Sequence, residues 1–188
     1  NGSTNNTITF NALADGTYSN CTIQVTDNTS NQSDNLTVSS FTIDTTAPTL
    51  AETTAVSTLT NDNSTQYTFS SSEGGTISVG GSCSNSSDNN TAVADNMTVS
   101  FAALADGTYS NCTITVTDSA GNSVTRDVNS FTIDTTAPTL AEVTAVTTPT
   151  NDNTSSYTFS STEAGTISYS VCGGNLDNAS ADNNTIIF

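Results

Sequence analysis

Hydrophobic and polar residues alternate with a period of two along most of the chain, and clusters of Asn, Asp, Gly and Ser separate the alternating stretches. This pattern is typical of antiparallel strands that pack one face against a core. The polar stretch 82–94 is predicted to hold a short strand D or only a loop. The other strands are predicted as A (50–56), B (66–70), C (76–79), E (97–103), F (108–117) and G (123–134).

Apolar residues two positions apart share one face of a strand, and these faces define the predicted core. No 3.6-residue spacing of apolar positions is present, so the pattern predicts an all-β fold. The predicted core residues are Tyr67, Phe69, Ile77, Val79, Met97, Val99, Phe101, Ile114, Val116, Phe131 and Ile133.

The sequence repeats itself. LADGTYSNCTI begins at Leu13 and again at Leu104, and FTIDTTAPTLAE begins at Phe41 and again at Phe131, so the period is about 90 residues. A period of this size predicts tandem β-sandwich domains. If TTAP is the linker, residues 49–138 form one complete repeat. Residues 1–48 are then the rear half of a repeat (strands E to G), and residues 139–188 are the front half of another (strands A to C and E).

Residues 1–10 resemble residues 179–188, so the chain closes at the phase of the repeat at which it opens. Two interpretations follow from this phase. Either the chain is a window on a longer array, or molecules complete each other's half-domains end to end.

Composition excludes several classes of function. The chain has one basic residue, Arg126, with 18 acidic residues, no histidine and a net charge of −17. Nucleic acid and anionic membranes are therefore not expected as partners, because both require a basic surface. Without His or Lys there is no Ser-His pair, Schiff base or P-loop lysine, and we expect no enzyme. No run approaches the roughly 18 apolar residues of a membrane span, so we expect no membrane insertion.

The run ADGTY…TITVTDSAGN…FTIDTTAPT resembles the immunoglobulin-like repeats of large bacterial surface adhesins and biofilm proteins. The resemblance implies tandem seven-strand Greek-key sandwiches that form an extracellular stalk or fibre at the cell surface. It also implies calcium at domain junctions, and contact with host or environmental surfaces through other domains. Tyr109 matches the tyrosine corner of such sandwiches. Cys112, however, follows it by three residues where the immunoglobulin pattern has two, so the two side chains would face opposite ways unless a bulge intervenes.

Four cysteines occur at matched places in the repeats. In the sandwich topology, strand C ends where strand F begins, so Cys83 is predicted to form a disulfide with Cys112. Cys21 matches Cys112, and Cys172 falls within one residue of the place of Cys83. Their partners are predicted to lie in neighbouring repeats or neighbouring molecules. Free thiols in a reducing compartment are the alternative, but paired spacing in a Ser/Thr-rich repeat favours an oxidising one.

Acidic residues gather at the predicted poles of the sandwich, where one repeat meets the next. Such oxygen-only clusters suit calcium, which takes six to eight hard ligands. The alternative is that these acids only cap turns. The predicted ligands are Asp15, Asp44, Glu73 and Asp118 at the first junction, and Asp62, Asp106, Asp134 and Glu163 at the second.

Two functions follow from these observations. The first is a structural spacer in the shaft of a surface adhesin or biofilm fibre. The alternative is a subunit of an extracellular filament that polymerises when neighbouring molecules complete each other's half-domains.

Overall fold

The structure is a computed structural model that describes residues 5–84, 86 and 90–188. All regular elements in these residues are strands, which confirms the all-β prediction. Residue contacts divide the chain into two compact units, Asn1–Asp134 and Thr135–Phe188. The described residues include no helix that is long and apolar enough to cross a membrane.

The first unit begins with four short strands that correspond to predicted strands F and G of a rear half. They are β1 (Gly16–Tyr18), β2 (Thr22–Ile23), β3 (Leu36–Thr37) and β4 (Phe41–Ile43). β1 pairs with β4 and β2 pairs with β3, both antiparallel. Residues 1–4, which fall in the predicted rear half, lie outside the described residues.

The complete repeat follows in the same unit and contributes ten strands. They are β5 (Leu50–Thr54), β6 (Leu59–Thr60), β7 (Gln66–Ser71), β8 (Gly75–Gly80), β9 (Thr91–Ala92), β10 (Asn96–Ser100), β11 (Gly107–Tyr109), β12 (Thr113–Thr117), β13 (Ser123–Asp127) and β14 (Phe131–Ile133). β10, β7 and β5 form one sheet, β13, β12, β8 and β9 a second, and β11, β14 and β6 a third.

Each of the predicted strands F and G divides into two. Strand F becomes β11 and β12, and strand G becomes β13 and β14, so the second and third sheets continue one another along the chain. The break in strand F lies between Tyr109 and Cys112. Because of it, Cys112 is buried in the core and Tyr109 still packs against the same core. The irregularity that the odd spacing required is therefore present.

Other boundaries differ from the sequence prediction. Strand A ends at residue 54 and strand E at residue 100, each shorter than predicted. Strand D is only Thr91–Ala92, paired with β8, and part of the predicted stretch (residues 85 and 87–89) lies outside the described residues. The parallel pairing of β6 with β14 was missed, because a strand of two residues shows no alternation.

One hydrophobic core lies at the centre of the complete repeat. All of the predicted core residues are buried except Val79 and Met97, which are partly buried against it. The core also includes Val56, Cys83, Ala92, Cys112 and Val128.

The second unit repeats the front of this architecture. Its strands are β15 (Leu140–Thr144), β16 (Ser156–Ser161), β17 (Gly165–Thr166), β18 (Asn178–Ala179) and β19 (Asn183–Ile187). β15, β16 and β19 form a sheet equivalent to that of β5, β7 and β10, and the bulge between Glu52 and Thr54 recurs between Glu142 and Thr144.

Candidate metal centre at the first repeat junction

Three carboxylates converge where the rear half meets the complete repeat. Asp44, Glu73 and Asp118 each offer an oxygen, and these oxygens lie within 4.8 Å of one another. Asp44 follows β4, Glu73 lies in the loop between β7 and β8, and Asp118 begins the loop between β12 and β13. Asp118 is buried and the other two are half-buried. The structure thus brings together three of the four acids predicted for this junction.

The loop after β12 folds around the Asp118 carboxylate. Its Oδ1 accepts hydrogen bonds from the backbone N–H groups of Ala120, Gly121 and Asn122, at 2.8, 2.7 and 2.9 Å. Its Oδ2 accepts one from Asn122 Nδ2 at 2.9 Å. These bonds, the one from the Asn122 side chain foremost, lower the pKa of Asp118 below its usual value. The group is therefore a fixed anion at neutral pH.

Asn122 also ties this loop to the linker, since its Nδ2 donates to the backbone oxygen of Asp44 at 3.1 Å. The Asp44 carboxylate is oriented in turn, because its Oδ1 accepts from the backbone N–H of Thr46 at 3.1 Å. Glu73 is held by Ser71, whose Oγ donates to the Glu73 backbone oxygen at 2.7 Å. Hydrogen bonds within the protein thus set the positions of all three acidic residues.

Asp15, the fourth predicted ligand, has a different role. Its Oδ1 accepts from the backbone N–H and the hydroxyl of Thr45, at 3.1 and 2.8 Å, and its Oδ2 accepts from the Thr46 hydroxyl at 2.8 Å. These bonds, with the Thr45 side chain first, lower the pKa of Asp15. Asp15 therefore fixes the conformation of the linker from outside the group of three carboxylates.

The acids predicted for the second junction belong to both compact units. Asp62, Asp106 and Asp134 belong to the first unit, and among the described residues they do not form a second group of three carboxylates. Asp62 Oδ1 accepts from the backbone N–H and the hydroxyl of Ser64, at 2.9 and 3.1 Å, as a turn-capping residue does. Glu163 belongs to the second unit.

The structure joins Cys83 and Cys112 in a disulfide, which is the pair predicted from the sequence. Their Cα atoms lie 5.2 Å apart, and both residues are buried in the core. Cys21 is half-buried and Cys172 is exposed, and both are free in this chain.

Sequence reasoning missed two features. One is Asn122, although the same Asp-x-x-x-Asn spacing occurs at Asp27 and Asn31 and could have identified it. The other is a polar bridge across the sandwich: Arg126 Nε donates to the Tyr67 hydroxyl at 3.2 Å, and this hydroxyl donates to Glu52 Oε2 at 3.1 Å. Burial is the main cause of a raised pKa for Tyr67. The one basic side chain of the protein is therefore hydrogen-bonded within the complete repeat.

Mainly antiparallel sheets around a shared core, a tyrosine corner and a disulfide define the complete repeat as a β-sandwich of the immunoglobulin-like class. Tyr109 makes the corner, donating its hydroxyl to the backbone oxygen of Ala105 at 2.9 Å. Residues 49–135 match the family described as Bacterial Ig-like domain, so the central part of the chain is similar to a bacterial Ig-like repeat. No curated protein matches the chain.

Proposed function

We propose that the chain is a structural spacer in the stalk of a secreted bacterial surface adhesin or in a biofilm-matrix fibre. The observation that carries this proposal is one bacterial Ig-like module at 49–135 whose strand pattern recurs on both sides of it. Reach away from a surface needs many copies of one module, whereas an active site or a binding tip needs one. Domains of this family are typically non-catalytic, which agrees with a spacer.

Imaging tests the spacer role directly. Electron microscopy of the native material should show a rod with one bead per repeat, and antibodies against the chain should label intact cells. A compact particle, or labelling only after the cells are permeabilised, contradicts the proposal.

We also propose a calcium ion bound by Asp44, Glu73 and Asp118. The donors are all carboxylate oxygens, which calcium prefers, and it accepts irregular geometry. The chain has no lysine to neutralise the group, and its single arginine is engaged with Tyr67. An ion here would relieve repulsion among the three carboxylates. It would also cross-link the linker to two loops of the following repeat, and so stiffen the stalk.

Thermal unfolding of the full chain tests this site. We expect a higher Tm in millimolar calcium than in EDTA, because the ion binds the folded state. Glu73→Gln should abolish the calcium-dependent rise, and Asp177→Asn, a control at an exposed acid of the second unit, should preserve it. Equal Tm values with and without calcium, or a rise that survives Glu73→Gln, would contradict calcium binding by this group.

A further inference from the structure

The first and last segments of the complete repeat lie side by side and run in the same direction. β6 pairs with β14 in parallel, whereas every other strand pairing in the described residues is antiparallel. The backbone N–H groups of Thr132 and Asp134 donate to the carbonyl oxygens of Thr58 and Thr60, at 2.9 and 3.0 Å. The backbone therefore joins the two segments directly, but only over a short length.

An asparagine side chain continues this contact where the two segments are not strands. Residues 55–58 and 128–130, which the structure describes in full, belong to no strand. Asn129 Oδ1 accepts from the backbone N–H of Val56 at 2.9 Å, and Asn129 Nδ2 donates to the Val56 carbonyl oxygen at 2.8 Å. Val56 is buried, so these two bonds satisfy backbone groups that lie away from water. The side-chain amide, with one acceptor and one donor engaged, thus replaces the backbone of a neighbouring strand.

The polar bridge through Tyr67 lies at the beginning of the same two segments. Its hydroxyl joins Arg126 in β13 to Glu52 in β5. β5 and β13 are edge strands of different sheets, so the bridge connects the two sheets at their edges. Contacts therefore tie residues 52–60 to residues 126–134 in the same order along both segments, and we call this contact the seam.

The chain enters the complete repeat at the start of the seam and leaves it at the end of the seam. β5 begins at Leu50, shortly after one TTAP linker, and β14 ends at Ile133, shortly before the next. Because the two segments run in the same direction, tension from the chain on either side of the repeat draws them along their length in opposite directions. All bonds of the seam are then loaded together. In an antiparallel hairpin that is pulled at its two ends, by contrast, the bonds open one after another.

We propose that the seam is the part of the complete repeat that resists tension along the chain. β6 has only two residues, so the side chains of Asn129 and Arg126 extend the contact along the rest of both segments. The proposal rests on the stalk role, in which tension passes along the chain. The strength of the seam is nonetheless a property of the isolated chain, and it can be measured whether or not imaging shows a stalk.

Trypsin cleavage of the full chain reports the opening of the seam, because Arg126 is the only Lys or Arg residue of the chain. Arg126 lies in β13 and is bonded to Tyr67, so cleavage requires this strand to open. We expect Asn129→Ala to raise the cleavage rate at least about tenfold, because it removes two hydrogen bonds to buried backbone groups. Asn63→Ala, at an exposed position between β6 and β7, should change the rate by less than about twofold. Equal rates for Asn129→Ala and the unaltered chain would overturn the proposal.

Tyr67→Phe tests the bridge at the other end of the seam. It keeps the buried ring and the tryptic site, and it removes the hydroxyl that joins Arg126 to Glu52. We expect the cleavage rate to rise about fivefold, since the strand of Arg126 loses one contact. Far-UV circular dichroism checks that the variant is folded. An unchanged rate in the folded variant would show that the bridge does not hold the seam closed.

Pulling the full chain from its two ends in optical tweezers tests whether the seam bears the load. Met97→Ala is the matched control, because it removes a partly buried side chain of β10, outside the seam. Both Met97→Ala and Asn129→Ala should lose stability in urea. At constant force, however, we expect Asn129→Ala to raise the unfolding rate of the complete repeat at least about tenfold, and Met97→Ala to leave this rate nearly unchanged. An equal rise in both variants would show that the seam is not the part that resists tension.

Discussion

The rear half and the complete repeat contain the same aromatic stack in different surroundings. The tyrosine–phenylalanine pair has ring centroids 5.4 Å apart in both copies. Phe131 at the centre of one stack is 1% exposed, whereas its counterpart Phe41 is only half-buried. The stacks are Phe101, Phe131 and Tyr109 in the complete repeat, and Phe10, Phe41 and Tyr18 in the rear half.

The two copies also differ in the extent of their pairing. β12 pairs with β13 over five residues, but β2 pairs with β3 over only two. The registers are the same, so the local sequence is sufficient to choose the partners. Of these two copies, only the one packed opposite the sheet of β5, β7 and β10 has the longer strands and the fully buried core. The sequence of each copy thus determines which strands pair, and the opposing sheet of β5, β7 and β10 completes the burial in the complete repeat.

Removing the central phenylalanine of each stack should have the largest effect on the free energy of unfolding, and the size of this effect should differ between the two copies. Phe131→Ala empties a filled core position and is expected to cost about 3 to 5 kcal/mol. Phe41→Ala removes a ring that is already partly in water, so it should cost about 1 kcal/mol. Urea unfolding of the full chain, followed by far-UV circular dichroism, measures both. Similar costs at the two positions would show that burial in the two copies does not differ as described.

The disulfide is a second difference between the copies, because the complete repeat has one whereas Cys21 in the rear half is free. The Cys83–Cys112 bond closes a loop with a sequence separation of 29. The chain-entropy model gives such a bond about 3 to 4 kcal/mol. We expect the double variant Cys83→Ala/Cys112→Ala to lose about this much stability in urea.

Cys21→Ala is the matched control for the disulfide, because Cys21 closes no loop in this chain. We expect it to change the free energy of unfolding by less than about 0.5 kcal/mol. If the double variant is no less stable than this control, the disulfide does not support the complete repeat.

Much of the fold and of the candidate metal centre could be predicted from the sequence. Alternation of apolar residues located the core, since Tyr67 and Phe69 lie at successive inward positions of one strand and Phe131 and Ile133 at those of another. The sandwich topology placed Cys83 beside Cys112, because strand C ends where strand F begins. Three of the four acids at the first junction followed from the same topology, because it fixes which loops share a pole.

The remainder depends on interactions that no local pattern contains. Asp15 was expected as a metal ligand, but two threonine hydroxyls on the linker bind its carboxylate. β6 has two residues, and only its partner β14 defines it as a strand. Val25 and Val116 occupy equivalent positions in the same alternating pattern, so the pattern could not predict that Val25 is exposed. Burial at these positions depends on a sheet that is distant in sequence.

The loops that follow β2 and β12 are the clearest case of similarity between the copies. Removing their side-chain hydrogen bonds should have the smallest effect of the changes considered. Asp27 accepts hydrogen bonds from Thr29 and Asn31, as Asp118 does from the loop that ends at Asn122. These bonds, with the Asn31 side chain first, lower the pKa of Asp27 to about 2, although this loop lacks an opposing sheet. Local hydrogen bonds are therefore sufficient to set its ionisation.

Because the pKa of Asp27 is lower in the folded loop than the value of about 3.9 expected for an unfolded chain, the loop is stabilised above pH 4. This stabilisation is lost as the pH falls from about 4 towards 2. Titration of the Asp27 carboxyl by NMR should show a midpoint of about 2. Asn31→Ala should raise this midpoint towards the ordinary value and leave that of Asp118 unchanged, and Asn122→Ala should do the reverse. An ordinary midpoint for Asp27 in the unaltered chain would mean that the loop of the rear half is not ordered without its second sheet, and that the similarity between the copies is limited to their strands.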